Sequence, residues 1–182
     1  AKRVQSFALP KGITLQPTDV NAVVEATLPL LETARDRGVV VHTELGRVPP
    51  AEGDPYTLQE VLFNLCTNAL AAMPRGGTLS IEVEASADLL TIRFVDEGVG
   101  MDSRQRQRYF QPFSGSFEDG TGLGAAIIYR LVQEHGGKVR LDSAPGKGTR
   151  VSITIPRTSA SGESREMRQF ALQAAGGCTG EK

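Results

Sequence analysis

Thr78-Leu-Ser-Ile-Glu-Val-Glu84 and Leu89-Leu-Thr-Ile-Arg-Phe-Val95, followed directly by Asp96-Glu-Gly98-Val-Gly100, form the stretch that decides the fold. Apolar and polar residues alternate in both runs, the period of a strand with one buried face. Joined only by residues 85–88, the two runs read as a β-hairpin. A second hairpin is predicted from Lys138–Asp142 and Thr149–Ile155, turning around Ala144-Pro-Gly-Lys-Gly148 and ended by Pro156.

Outward from the first hairpin the pattern becomes helical. Asp54 is placed to cap a helix from Pro55 to about Met73, with Pro in the first turn and the turn Pro74-Arg75-Gly76-Gly77 behind it. Upstream, Thr18 or Asp19 caps a helix predicted to run to about Arg37, with Val20, Val23, Val24, Leu28 and Leu31 on one side and a kink at Pro29. Val39–Leu45 reads as a strand and residues 46–53 as a Pro/Gly loop. Residues 96–121 are predicted to be loop, after which Thr121 caps a helix from Gly122 to His135, closed by Gly136-Gly137. The order α-β-α-β-β-loop-α-β-β predicts a two-layer α/β sandwich (α+β), a mixed and mainly antiparallel sheet covered by helices on one face. Residues 1–17 are expected to be a linker, 18–156 the domain, and 157–182 a disordered Ser/Gly/Glu/Gln-rich tail.

Composition excludes several classes. The chain has 182 residues, 40% hydrophobic and 23% charged, which is globular usage. A net charge of −1 gives no broad field to recruit nucleic acid or anionic lipid. No apolar run approaches the ~18 residues of a membrane span, and no signal peptide is visible. Cys66 and Cys178 lack metal-ligand spacing, and a reducing compartment is the default, so a cytoplasmic location is expected. Of the 20 glycines, ten lie between Gly98 and Gly148 without a collagen period, which points to backbone that turns sharply or approaches a ligand.

Three motifs carry chemistry. On a helix with Glu60 at 0°, Asn64 falls near ~40° and Asn68 near ~80°, while Leu58, Leu62, Leu65 and Ala69 fall at about 140–200°. The polar stripe is either a solvated face or a face for hard Mg²⁺ and phosphate, which amide and carboxylate oxygens suit. Asp96-x-Gly98-x-Gly100 is either a common Asp-Gly turn or a base pocket, in which the carboxylate accepts from an amino group. Gly120-Thr121-Gly122-Leu123-Gly124 runs into a helix, as a hinge or as an anion site built on free N–H groups and the helix dipole. It matches neither the dinucleotide fingerprint nor the phosphate P-loop. Between the glycine sites, Tyr109-Phe110-Gln-Pro-Phe113 either packs its rings on the core or anchors a lid.

In order, Glu60-x3-Asn64-x3-Asn68-Ala69, Asp96-x-Gly98-x-Gly100, Phe110-x2-Phe113, Gly120-Thr-Gly-Leu-Gly124 and Gly146-Lys-Gly-Thr149 closely resemble the ATP-binding catalytic domain of sensor histidine kinases, in the GHKL ATPase superfamily. The resemblance covers about residues 18–156. Asn68-Ala-Leu-Ala-Ala-Met-Pro-Arg-Gly-Gly77 and Glu134-His-Gly-Gly137 resemble the nitrogen-regulation and pilus-regulation subclass. The resemblance implies ATP and Mg²⁺ as cofactors. Asn64 would coordinate Mg²⁺ and Asn68 would contact phosphate or ribose. Asp96 would accept from the adenine amino group, Gly98 and Gly100 would shape the base pocket, and Thr149 would support it through its hydroxyl or a water. The box Gly120, Thr121, Gly122, Leu123 and Gly124 would hold the phosphates. Phe110 and Phe113 would latch a lid over residues 101–119, and Glu60 stands at the family's acid–base position.

The pattern also departs from the family. Ala71 stands where many members carry Lys or Arg, the lid reads Phe113-Ser-Gly-Ser-Phe117 in place of Thr-Thr-Lys, and Ala125 replaces a more usual Leu. The only histidines, His42 and His135, read as structural. The phosphoacceptor His is therefore expected on a dimerisation domain before residue 1, in a parent that is homodimeric, either free in the cytoplasm or anchored in the inner membrane. A response regulator is the second expected partner. Neither nucleic acid nor membrane is expected to contact this segment. Another GHKL ATPase, an anti-sigma serine kinase and a module that only binds nucleotide stay open as alternatives.

Overall fold

A computed structural model describes residues 12–31, 34, 36–112 and 122–157. The chain runs β1 (Gln16–Thr18), α1 (Val20–Thr27), a 3₁₀ turn (Leu28–Leu31), β2 (Val39–Leu45), β3 (Ala51–Gly53), α2 (Pro55–Ala72), β4 (Gly77–Ala85), β5 (Leu89–Asp96), α3 (Ser103–Arg108), α4 (Gly124–Glu134), β6 (Lys138–Ser143) and β7 (Thr149–Pro156). Five strands form one sheet in the order β2-β4-β5-β7-β6, with β2 parallel to β4 and every other pair antiparallel. The predicted mixed, mainly antiparallel sandwich is what the chain adopts. A separate two-stranded sheet pairs β1 with β3 antiparallel, and Thr14 N–H donates to Asp54 Oδ2, so the chain joins the fold a few residues before position 18.

Strand alternation sets the core. Leu79, Ile81 and Val83 of β4, Leu90, Ile92 and Phe94 of β5, and Val151, Ile153 and Ile155 of β7 are all buried on one face of the sheet. On the other face Arg93 pairs with Glu82 and Glu84, partly exposed contacts that contribute little. The inward face meets the apolar stripe of α2, where Leu58, Leu62, Leu65 and Ala69 are buried as the helical rotation requires, together with Ile128, Leu131 and Val132 of α4. Each of the larger side chains among them contributes about 1.5–3 kcal/mol of burial. Cys66 lies within this layer, and burial pushes its thiol up to about 12.

Four boundaries differ from the sequence reading. The first helix stops at Thr27: Pro29 has no N–H to continue the ladder, so the chain tightens into a 3₁₀ turn, with helical backbone again at Ala34 and Asp36. The span 96–121 is not all loop, because Asp102 and Gln105 form a reciprocal capping box that starts α3. The last helix begins at Gly124 with Leu123 at its N-cap. Gly122, at φ 66°, is left-handed and cannot belong to the helix. Thr121 and the tail 158–182 lie outside the described residues. The Pro/Gly stretch 46–53 contains β3, too short to show a period.

His135 is structural, as expected. Buried at the end of α4, it places Nδ1 2.6 Å from Leu131 O, while Nε2 accepts from Asp54 N–H at 3.1 Å. The partners require the neutral Nδ1–H tautomer. One ring thus ties the end of α4 to the start of α2. His135→Phe leaves the Asp54 N–H without its acceptor and is expected to lower stability by about 1–3 kcal/mol. An unchanged urea midpoint would count against this coupling.

Candidate functional site

The alternation that builds the core also builds the site. On β5 the inward series Leu90, Ile92, Phe94 ends in Asp96; on β6 Val139 and Leu141 are followed by Ser143; on β7 the inward series begins with Thr149. Register places Asp96 opposite Thr149, and Thr149 opposite Ser143. Three buried polar residues therefore stand in a row across three strands at one end of an otherwise apolar face.

Their hydrogen bonds are closed on one side. Asp96 Oδ1 accepts from Gly98 N–H at 2.9 Å and from Thr149 N–H at 3.2 Å. Among the described residues Oδ2 has no hydrogen-bond partner. Burial raises the Asp96 carboxyl above its ordinary range, opposed by those two N–H donors. Ser143 Oγ accepts from Met101 N–H at 2.9 Å, donates to Gly148 O at 2.8 Å and lies 3.1 Å from Thr149 Oγ1. Thr149 meets Asp96 through its backbone N–H, and its hydroxyl lies against Ser143 Oγ.

Glycine is required where the backbone closes on this row. Gly100 and Gly148 hold φ 68° and 71°, and a Cβ on either would overlap a carbonyl oxygen, that of Ala144 or Asp96 respectively. The Asp96–Gly100 turn is further held by Val99 N–H to Ala72 O at 3.0 Å and Gly146 N–H to Val99 O at 2.7 Å. The turn is thus fixed between the end of α2 and the β6–β7 hairpin. Gly98 packs against Ala72.

The second half of the site comes from α2 and α4. Asn64 Nδ2 donates to Glu60 O at 2.8 Å, one turn back on its own helix. Its Oδ1 faces α4: a Cβ on Gly124 would lie 3.0 Å from Asn64 Oδ1 and 3.6 Å from Asn68 Oδ1. The two amides thus abut the first turn of α4, where no side chain caps the helix. Asn68 Nδ2 donates to Tyr109 Oη at 3.0 Å. Phe110 stacks edge-on with Tyr109 at 5.0 Å and tilted on Tyr129 of α4 at 5.6 Å, so the aromatic segment rests on α4.

Asn64, Asn68, Asp96, Gly98, Gly100, Gly122, Leu123, Gly124 and Thr149 therefore fall in one region, with Phe110 at its rim. Glu60 is exposed on α2, and its carboxylate has no partner among the described residues. Phe113, Gly120 and Thr121 lie outside the described residues. The sequence reading missed Ser143, Tyr109 as a site residue, and Tyr129. Ser143 was signalled by an inward strand position that turns polar next to a glycine hairpin. No group of His, Cys, Asp and Glu among the described residues is arranged to hold a metal by itself, and no helix among them is long and apolar enough to cross a membrane.

A family model described as histidine kinase-, DNA gyrase B- and HSP90-like ATPase matches residues 53–159. The chain is 33% identical over 165 residues to sporulation kinase E of Bacillus subtilis, covering 85% of this chain and 22% of that protein. It is 33% identical over 150 residues to the sensor histidine kinase ZraS of Klebsiella oxytoca, covering 81% of this chain and 32% of that one. It thus spans a third or less of these curated relatives. The fold is similar to full-length ShkA solved with AMPPNP (TM-score 0.74, 25% identity, 85% of this chain and 34% of that one). It is also similar to the catalytic domain of the histidine kinase ThkA in a nucleotide-free form (TM-score 0.73, 24% identity, 80% of this chain and 97% of that one).

Because Asp96 is raised by burial, its contribution to stability is full below the ordinary aspartate range and is lost as pH rises through its raised value. Asp96→Asn keeps an acceptor oxygen for Gly98 and Thr149 and removes the buried charge. At pH 7 its denaturation midpoint is expected to equal or exceed that of the wild type, the difference closing below about pH 4. A variant less stable at pH 7 by more than about 1 kcal/mol would overturn this account of the carboxylate.

Proposed function

This chain belongs to the histidine kinase-, DNA gyrase B- and HSP90-like ATPase family, and from that premise we propose that it is the ATP-binding catalytic domain of a two-component sensor histidine kinase. One observation carries the reading. A buried carboxylate in an apolar layer is pinned through Oδ1 by two backbone N–H groups and keeps Oδ2 for a donor. A structural Asp-Gly turn does not need that carboxylate buried. An adenine amino group supplies the missing donor.

The remaining roles follow from position. Gly98 and Gly100 line the base end. Asn68 and the start of α4, from the box Gly120–Gly124, face the phosphates, where backbone N–H groups and the helix dipole favour negative charge. Asn64 spends Nδ2 on its own helix, so its Oδ1 is the hard oxygen turned toward the phosphate end. That donor fits Mg²⁺, whose remaining ligands would be phosphate oxygens and water. When bound, the ion would neutralise charge developing on the phosphates. Glu60, exposed on the same stripe of α2, is positioned to act on an incoming imidazole. Phe110 and Phe113 latch the lid.

The γ-phosphate acceptor is a His on a dimerisation domain that belongs to the same kinase, and a response regulator takes the phosphoryl group onward. His135 is not the acceptor, since both its ring nitrogens are engaged inside the fold. The domain is assigned from β1 to the end of β7, residues 16–156, slightly longer at its start than the 18–156 read from the sequence.

Calorimetric titration tests this reading. ATP with Mg²⁺ is expected to bind the wild type, and Asp96→Asn to bind about 10- to 100-fold more weakly, the cost of one hydrogen bond to a charged group. In Asn64→Ala the gain in affinity on adding Mg²⁺ is expected to disappear. Equal affinity of Asp96→Asn and wild type for ATP sinks the adenine assignment. With γ-labelled ATP the chain alone is expected to gain no acid-labile phosphate, and a labelled His on it would refute the acceptor assignment.

A further inference from the structure

We propose that Tyr109 sets the nucleotide affinity of this site: its hydroxyl occupies the Asn68 amide that a nucleotide oxygen would engage, and it must leave before nucleotide can bind. The inference rests on the nucleotide reading above and concerns a residue that reading does not use.

One hydrogen bond locates the phenol: Asn68 Nδ2 donates to Tyr109 Oη at 3.0 Å. The hydroxyl therefore stands at the amide that abuts the first turn of α4. A phenol oxygen is a neutral acceptor and satisfies the amide as a ribose or phosphate oxygen would. Nδ2 carries two N–H groups, and the one turned to the phenol cannot also serve a nucleotide oxygen, while the ring takes space beside the amide.

The ring is held there from behind. Tyr109 closes α3, with its N–H on Arg106 O at 3.3 Å, and α3 starts from the capping box of Asp102 and Gln105, one residue after Met101, which is bound to Ser143. Phe110 braces Tyr109 edge-on and rests on Tyr129. Aromatic pairs of this geometry hold a ring without fixing its neighbour covalently, so the segment can release it. A ligand that must first break such a contact binds with an affinity reduced by the fraction of molecules in which the contact is open.

Tyr109→Phe keeps the ring and deletes the hydroxyl. ATP is expected to bind this variant about three- to tenfold more tightly than wild type, since one neutral hydrogen bond no longer competes. Wild type that binds ATP, with a variant of equal or weaker affinity, overturns the proposal alone. ATP binding by neither protein overturns the site reading and the proposal with it. A second measurement uses the wild type only. Burial pushes the Tyr109 phenol up to about 12, so at pH 8 it has little of the phenolate that tetranitromethane attacks. Added ATP is expected to increase nitration of Tyr109, mapped by mass spectrometry. Nitration that ATP leaves unchanged or lowers overturns the proposal.

Discussion

The arrangement depends on one carboxylate placed where a core residue would otherwise stand. Asp96 continues the inward series of β5, so the pleat that buries Phe94 also buries the acid. Burying a charge is costly unless donors meet it. Two backbone N–H groups meet it here, and both come from chain segments that have to arrive very close. Thr149 arrives by strand register, and Gly98 by the turn that follows β5. The absence of side chains at Gly100 and Gly148 lets the turn and the hairpin close on each other. Glycine at 100 and 148 is thus a consequence of the carboxylate: without close backbone approach there the acid would stay unpaired.

The asparagines are oriented by different forces. The apolar stripe of α2 buries Leu58, Leu62, Leu65 and Ala69 against the sheet and α4. At about 1.5–3 kcal/mol for each large side chain, that burial fixes the rotation of the helix. With the rotation fixed, Asn64 and Asn68 must lie to one side, facing the start of α4. Gly124 admits them, since a larger residue would meet Asn64 Oδ1. His135 sets the relation between the two helices from the other end.

Much of this was legible in the sequence because it rests on period and punctuation. Strand alternation located both hairpins, and the rotation of α2 separated its two stripes. Asp54 marked the start of that helix before any contact was known. The same alternation carried Asp96 and Thr149 into the interior. What stayed hidden has a different origin. The helix α3 buries nothing, so it has no hydrophobic period, and only its capping box marked it. Strands β1 and β3 have three residues each, too few for alternation to register. The hydrogen bond from Asn68 to Tyr109 joins positions 41 apart through the path of a loop, which no local rule describes. Pro29 and Gly122 show the opposite error: both were visible, and their effect on helix ends was read too gently.

The two ends of the proposed nucleotide site are held by different kinds of contact. At the base end every support is backbone or a short hydroxyl: Gly98 and Thr149 N–H on Asp96, and Ser143 between Met101 and Gly148. Such contacts belong to the sheet and move only if the sheet moves. At the phosphate end the supports are side-chain amides, a phenol and a helix start without a side-chain cap. Those can exchange partners at the cost of a rotamer and a neutral hydrogen bond, while the strands stay in register. Ala71 adds no cation there. In the proposed site the rigid base end would therefore set both which base is accepted and a fixed part of the affinity, whereas the contacts around Asn68 are the part of the affinity that can be traded without disturbing the sheet.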